Sequence, residues 1–169
     1  MDKKQIITNW FDEYGDDIYQ FFVYRVGMKD VEDLVQEVFI RALHHYESFQ
    51  GNATPKSWLY SIARNLAIDE IRKKSRDRWK IFFVGEERKM DGIETPDDLL
   101  TRSEVNKELY KAIHKLKPSY RDVIILRGLK ELSIQETATI LDWKEEKVRL
   151  TYHRAKQTLK EKLGGSIYE

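Results

Sequence analysis

Six side chains near the C-terminal end have the chemistry to hold a nucleic acid: Lys144, Lys147, Arg149, Leu150, His153 and Arg154. An arginine fork matches the acceptor edge of guanine, and lysine supplies a compact charge for a phosphate. A second set lies earlier, at Lys56, Arg64, Asn65, Asp69, Arg72 and Lys73. There, Asn65 can offer both donor and acceptor to a base edge. A third set is mainly acidic: Asp33, Gln36 and Glu37, with Ile40 and Arg41 beside them, read on their own more readily as a solvated charged face than as a partner surface, although the exposed Ile40 points to a partner. None of the three has catalytic form. No nucleophile–base pair or phosphate loop is legible, so the chain does not read as an enzyme. His44, His45, His114 and His153 show no metal-ligand spacing, and the absence of cysteine excludes disulfides and thiolate zinc sites. No metal and no cofactor is expected.

Helices must position these sets. Apolar residues at Val31, Leu34, Val35, Val38, Phe39, Ala42, Leu43 and Tyr46 recur at helical spacing and leave the acidic set on the other face. Asp30 is expected to cap that helix, with Glu32 and Asp33 in its first turn. A preceding helix over 3–27, broken or bent near Gly15, carries a stripe of Ile6, Ile7, Trp10, Phe11, Tyr14, Ile18, Phe21, Phe22 and Arg25, apolar except the last. After a loop at 48–55, a helix runs from Pro55 to about Arg76 with Leu59, Ile62, Ala63, Leu66, Ala67 and Ile71 inward. Trp58 falls on the same stripe and reads as core, although an exposed aromatic there could wedge into opening DNA.

Residues 77–100 break the pattern, and an acidic, Gly- and Pro-containing linker over 79–100 is expected. The Trp79–Val84 run is too apolar for a free tether and should pack on something. From 101 the chain is helical again. Ser133-Ile134-Gln135-Glu136 is a capping-box signature, Asp142-Trp143 makes a turn, and a basic helix from Lys144 ends at Gly164-Gly165. A short helix, a tight turn and a longer basic helix make a helix-turn-helix. Its inward stripe is Val148, Tyr152, Ala155, Leu159 and Leu163. The expected fold is all-α, with two small helical domains at 1–78 and 101–169 joined by a flexible linker.

Charge supports this division. The chain of 169 residues is nearly neutral, with 30 basic and 29 acidic side chains. Yet residues 54–80 and 111–169 each carry an excess of five cations, while 1–53 and 81–110 are acidic by five and four. Two separated basic blocks can touch a polyanion at two places. No apolar run approaches a membrane span and the first residues lack a signal-peptide core, so no membrane insertion and a cytoplasmic location are expected.

The strings themselves carry a resemblance. Asp33-Leu34-Val35-Gln36-Glu37-Val38-Phe39 resembles the core-binding helix of bacterial sigma factors of the small extracytoplasmic-function (ECF) group. Trp58-Leu59-Tyr60-Ser61-Ile62-Ala63-Arg64-Asn65 with Asp69 is similar to their region-two helix, which reads the minus-ten element. Glu136 to Leu141, Val148 and Tyr152-His153-Arg154-Ala155-Lys156 resemble region four, which reads the minus-thirty-five element. Asp142, Lys147, Leu150 and Thr151 depart from the commoner residues at their positions. The resemblance implies an alternative sigma factor that binds core RNA polymerase at the beta-prime clamp helices and the beta flap. Its other partners would be promoter DNA and an anti-sigma factor, with the linker threading toward the RNA-exit path. The residues alone also allow a helix-turn-helix regulator whose N-terminal lobe binds a ligand or dimerises, or a helical adaptor without DNA.

Overall fold

The computed structural model describes residues 1–51, 53–84 and 106–167. Among these, every regular element is helical. Helix α1 spans Lys3–Arg25, and its first turn is capped by Asp2, whose carboxylate accepts from the Gln5 N–H at 2.8 Å. α1 runs unbroken through Gly15. One mid-helix glycine costs only about 1 kcal/mol, and burial of Ile7, Ile18, Phe21 and Phe22 along the same helix outweighs it. Gly27, at φ +137°, turns the chain out of α1 in a conformation that L side chains rarely adopt.

Helix α2 spans Val31–His44 and buries Val31, Leu34, Val35, Val38, Phe39 and Ala42. The expected Asp30 cap does not form. Asp30 sits in the left-handed region at φ 59°, where a capping residue is ordinarily extended, and its side chain makes no cap hydrogen bond. A 3-10 turn at Tyr46–Ser48 follows. Helix α3 spans Pro55–Val84. Thr54 caps it, its Oγ1 accepting from the Ser57 N–H at 3.1 Å, and Ser57, Leu59, Tyr60, Ala63, Leu66 and Ala67 are buried. The expected stop near Arg76 is overrun, and residues 79–84 of the expected linker continue the helix. Neither Gly nor Pro intervenes before Gly85, and 72–80 is mostly made of good helix formers. The rest of that linker, 85–100, lies outside the described residues.

The second half packs α4 (Lys107–His114), α5 (Pro118–Val123, continued by a π-helical turn at Ile124–Leu129), α6 (Ile134–Leu141) and α7 (Glu145–Ile167). Pro118 stands at the start of α5. The capping box forms in full: Ser133 Oγ accepts from the Glu136 N–H at 3.0 Å, and Glu136 Oε1 accepts from the Ser133 N–H at 3.1 Å. Asp142 closes α6 in the left-handed region, and the Trp143 N–H donates back to the Ala138 carbonyl. α7 passes through Gly164-Gly165 instead of ending there.

The two halves share one hydrophobic core. Buried residues from Ile7 to Ala67 and from Tyr110 to Ala155 form a single cluster, with α3 against α6 and α1 against α4. The junction is also polar. Arg25 is 3% exposed and donates from Nε to Asp122 Oδ1 at 2.7 Å, while Arg64 reaches Asp122 Oδ2 at 3.3 Å. Arg121 beside them donates to the carbonyls of Arg25, His114 and Leu116. Lys130 pairs with Asp17 at 3.1 Å and with Gln20, and Ser57 Oγ meets Glu136 at 3.4 Å.

Candidate nucleic-acid and polymerase interfaces

The recognition set stands on the outer face of α7. Val148 and Ala155 are fully buried and Tyr152 is half-buried against the core. They fix the orientation of the helix. Lys144, Lys147, Arg149, His153 and Arg154 are therefore exposed, and Leu150 is 49% exposed. Two of the lysines and arginines among these already have neighbours. Arg149 lies 3.8 Å from Glu145 one turn before, and the Lys147 ammonium sits 4.3 Å from the Trp143 ring. Both contacts are solvent-facing and weak, so either cation can move to a ligand.

The earlier basic set divides. Asn65, Asp69, Arg72 and Lys73 are exposed on α3, and Lys56 is half-buried in its first turn. Arg64 is not free for DNA in this arrangement, because it is held by Asp122 from the other half. Trp58 is half-buried in an aromatic cluster, 5.1 Å from the Phe49 ring and 6.1 Å from Trp10. That is a core role, as its spacing predicts, and it also braces the loop ahead of α3. Asn52 in that loop lies outside the described residues.

The acidic set lies on the outer face of α2. Asp33 and Gln36 are exposed, Ile40 is 46% exposed, and Glu37 pairs with Arg41 at 3.2 Å. Phe11 of α1, also 46% exposed, stacks edge-on against Phe39 at 5.1 Å, on the helix that bears Ile40. Phe11 falls on the apolar stripe of α1, so its spacing alone does not announce its exposure. The role of Arg25 has a sign in the sequence, an arginine ending an apolar stripe. Asp122, a carboxylate ahead of Val123-Ile124-Ile125-Leu126, was a second.

His114 adds a titratable group to the junction. Its Nε2 lies 3.2 Å from the Val23 carbonyl, an arrangement that requires the ring N–H to donate. Burial, with Arg121 and Arg25 nearby, pushes its pKa down to about 4. The neutral ring is thus the form that fits. Unfolded, the ring protonates near 6.5. Stability should therefore be fully present above that pH and be lost as pH falls from about 6.5 to about 4. Urea unfolding is expected to show a loss of about 1–2 kcal/mol between pH 6.5 and 5. His114→Gln should flatten that slope; an unchanged slope in the variant would assign it to other groups.

Comparison with known proteins decides the family. Residues 10–77 match Sigma-70 region 2, and residues 106–159 match Sigma-70, region 4. The chain is 42% identical over 154 residues to the ECF RNA polymerase sigma factor SigX of Bacillus subtilis, covering 89% of this chain and 79% of that one. The chain belongs to the sigma-70 family. Within that family it is an ECF sigma factor: an alternative sigma factor that recognises promoters and supports transcription initiation. Two further Bacillus subtilis relatives agree. RNA polymerase sigma factor YlaC is 30% identical over all of this chain and 98% of its own length. The ECF sigma factor SigW is 35% identical over 90% of this chain and 86% of its own. Solved structures share the fold. One, of CnrH with the cytosolic domain of CnrY, has a TM-score of 0.72 at 21% identity over 96% of this chain and 90% of that one. Another, of RpoE with the anti-sigma factor NepR from Bartonella quintana, has 0.72 at 23% identity over 94% and 98%. Among the described residues, no helix of this ECF factor is long and apolar enough to cross a membrane.

Proposed function

We propose that this ECF factor works by binding alone, in the cytoplasm, through the three side-chain sets described above. Residues 1–78 form the lobe that docks on core polymerase and reads the minus-ten element. Residues 101–169 form the lobe that reads the minus-thirty-five element, and 79–100 connect them. Asp33, Gln36, Glu37, Ile40 and Arg41 meet the beta-prime clamp helices, and the C-terminal lobe lies against the beta flap. Lys56, Arg64, Asn65, Asp69, Arg72 and Lys73 serve the minus-ten element, and Lys144, Lys147, Arg149, Leu150, His153 and Arg154 the minus-thirty-five element. The observation that carries this reading is the orientation of α7, whose buried Val148 and Ala155 turn its cations outward.

Strand opening then draws on binding energy. Extruding a base costs a few kcal/mol. A pocket between the 48–56 loop and Asn65 and Asp69, with cations on the displaced strand, offsets that cost. Both solved neighbours named above are described in complex with a second protein, one of them an anti-sigma factor. We infer that an anti-sigma factor also binds this chain.

The docking assignment has a direct test. Reversing charge at Asp33 and Glu37 together places two cations where the partner accepts anions, so affinity for core polymerase should fall at least tenfold. Both lie off the buried face of α2, so the melting temperature should hold. A titration with core polymerase in which the double variant binds like the parent would remove α2 from the interface.

A further inference from the structure

The geometry points to Glu146 as a base-reading residue of α7 that selects a cytosine in the minus-thirty-five element, in addition to the side chains already assigned there. This rests on the reading of α7 as the recognition helix and names one base that it recognises.

The inference starts from the register of the helix. At about 100° per residue, with Val148 as the inward direction, Tyr152, Ala155 and Leu159 fall within about 40° of it. These four pack α7 on the core. The opposite direction is not held by a cation. Glu146, Leu150, His153 and Gln157 lie within about 40° of it, and all four are exposed. Arg149 stands on one shoulder of this ridge, and Lys147 and Arg154 stand on the other. The cations thus face the walls of a groove, where phosphates run, and the ridge meets the base edges on its floor. The length of Arg149 still lets it reach a guanine from its shoulder.

Two glutamates occupy the first turn, and they differ. Glu145 is turned toward the packed side and lies 3.8 Å from Arg149. Glu146 stands on the outer ridge, and among the described residues its side chain has no hydrogen bond or ion pair. The helix macrodipole favours an anion anywhere in this turn and does not call for one on the ridge. The cations on both shoulders offset the repulsion between that carboxylate and the phosphates. A carboxylate can only accept hydrogen bonds. In the major groove guanine presents two acceptors, and thymine an acceptor beside its methyl group. Adenine sets its amino group next to an acceptor nitrogen. Cytosine alone offers a donor with no acceptor on its own edge. Glu146 therefore binds cytosine and rejects the other three bases.

The test uses holoenzyme and a duplex promoter library randomised across the minus-thirty-five element, with bound fragments sequenced. The parent should prefer cytosine at one position by about tenfold. Glu146→Ala should lose that preference and keep those at the other positions. Glu146→Gln should move it to adenine, whose amino group and ring nitrogen a carboxamide holds in two bonds. A cytosine analogue without its exocyclic amino group should weaken the parent about tenfold and leave the affinity of the Glu146→Ala holoenzyme unchanged. An equal change on every fragment would make Glu146 a general electrostatic residue and overturn the assignment. An unchanged profile in Glu146→Ala, or a Glu146→Gln preference that stays on cytosine, would overturn it as well. A parent holoenzyme with no preference across the element would overturn the reading of α7 itself. Arg149→Ala separates the two failures, because its effect at its own position persists when only Glu146 is misassigned.

Discussion

Replacing Asp122 with alanine should cost this protein about 3–5 kcal/mol and separate its two halves, because it strands a buried guanidinium. Arg25 and Asp122 are each 3% exposed at their side chains and 2.7 Å apart. Arg64 and Arg121 crowd the same place. Without the carboxylate, three arginines face one another and Arg25 has lost its counter-ion in a medium that cannot hydrate it. The variant should show a larger radius of gyration by small-angle X-ray scattering and an earlier thermal transition. Removing both charges, with Asp122→Ala and Arg25→Met, should recover much of the stability, since an apolar replacement leaves no orphan charge. A compact Asp122→Ala chain with an unchanged transition would contradict this account of the junction. The opening has a functional side. Elements about 25 base pairs apart are separated by about 85 Å on B-DNA. A compact chain of this length measures only about 40 Å across. The closed arrangement cannot reach both elements at once, and it also occupies Arg64.

The second large effect is expected at α7. Arg149 and His153 share one outward side, four residues apart, near the start of the helix. A bidentate arginine–guanine pair discriminates by roughly 1–3 kcal/mol, whereas lysine at a phosphate adds affinity without sequence information. Arg149→Ala should therefore relax preference at one minus-thirty-five position by about 10-fold to 100-fold. Lys147→Ala should weaken all sequences alike and lower the salt slope by about one unit. The measurement is a holoenzyme binding series over single-base variants at two or more salt concentrations. A uniform loss from Arg149→Ala would make it a phosphate contact and pass base reading to His153 or Leu150. The parent's Arg149–Glu145 contact at 3.8 Å is too exposed to mask either result.

Periodicity made much of this fold legible. The stripes of α2, α3 and α7 and the capping box at Ser133 stand where their spacing puts them, because each is decided within one or two helical turns. What escaped was decided elsewhere. Gly15 reads as a break, but the packing around α1 overrides a local cost of about 1 kcal/mol. Asp30 reads as a cap, but the turn from Gly27 takes it into the left-handed region. The aromatic run after Arg76 reads as the start of a linker, yet with no breaker before Gly85 it stays in α3. The site was legible in the same unequal way. Exposure of the α7 cations follows from their own helix. The diversion of Arg64 to Asp122, 58 residues away, follows from a pairing that no local pattern announces.

If three surfaces on one chain bring polymerase to a promoter, run-off transcription should depend on all of them. Purified core polymerase is supplied with this protein and a library of promoter fragments, and run-off transcripts are sequenced. Transcripts are expected only when the protein is present, from fragments sharing two short elements about 25 base pairs apart. They should be lost when Asp33 and Glu37 are reversed. Transcription no different from core alone, or transcripts that share no pair of elements, would contradict it.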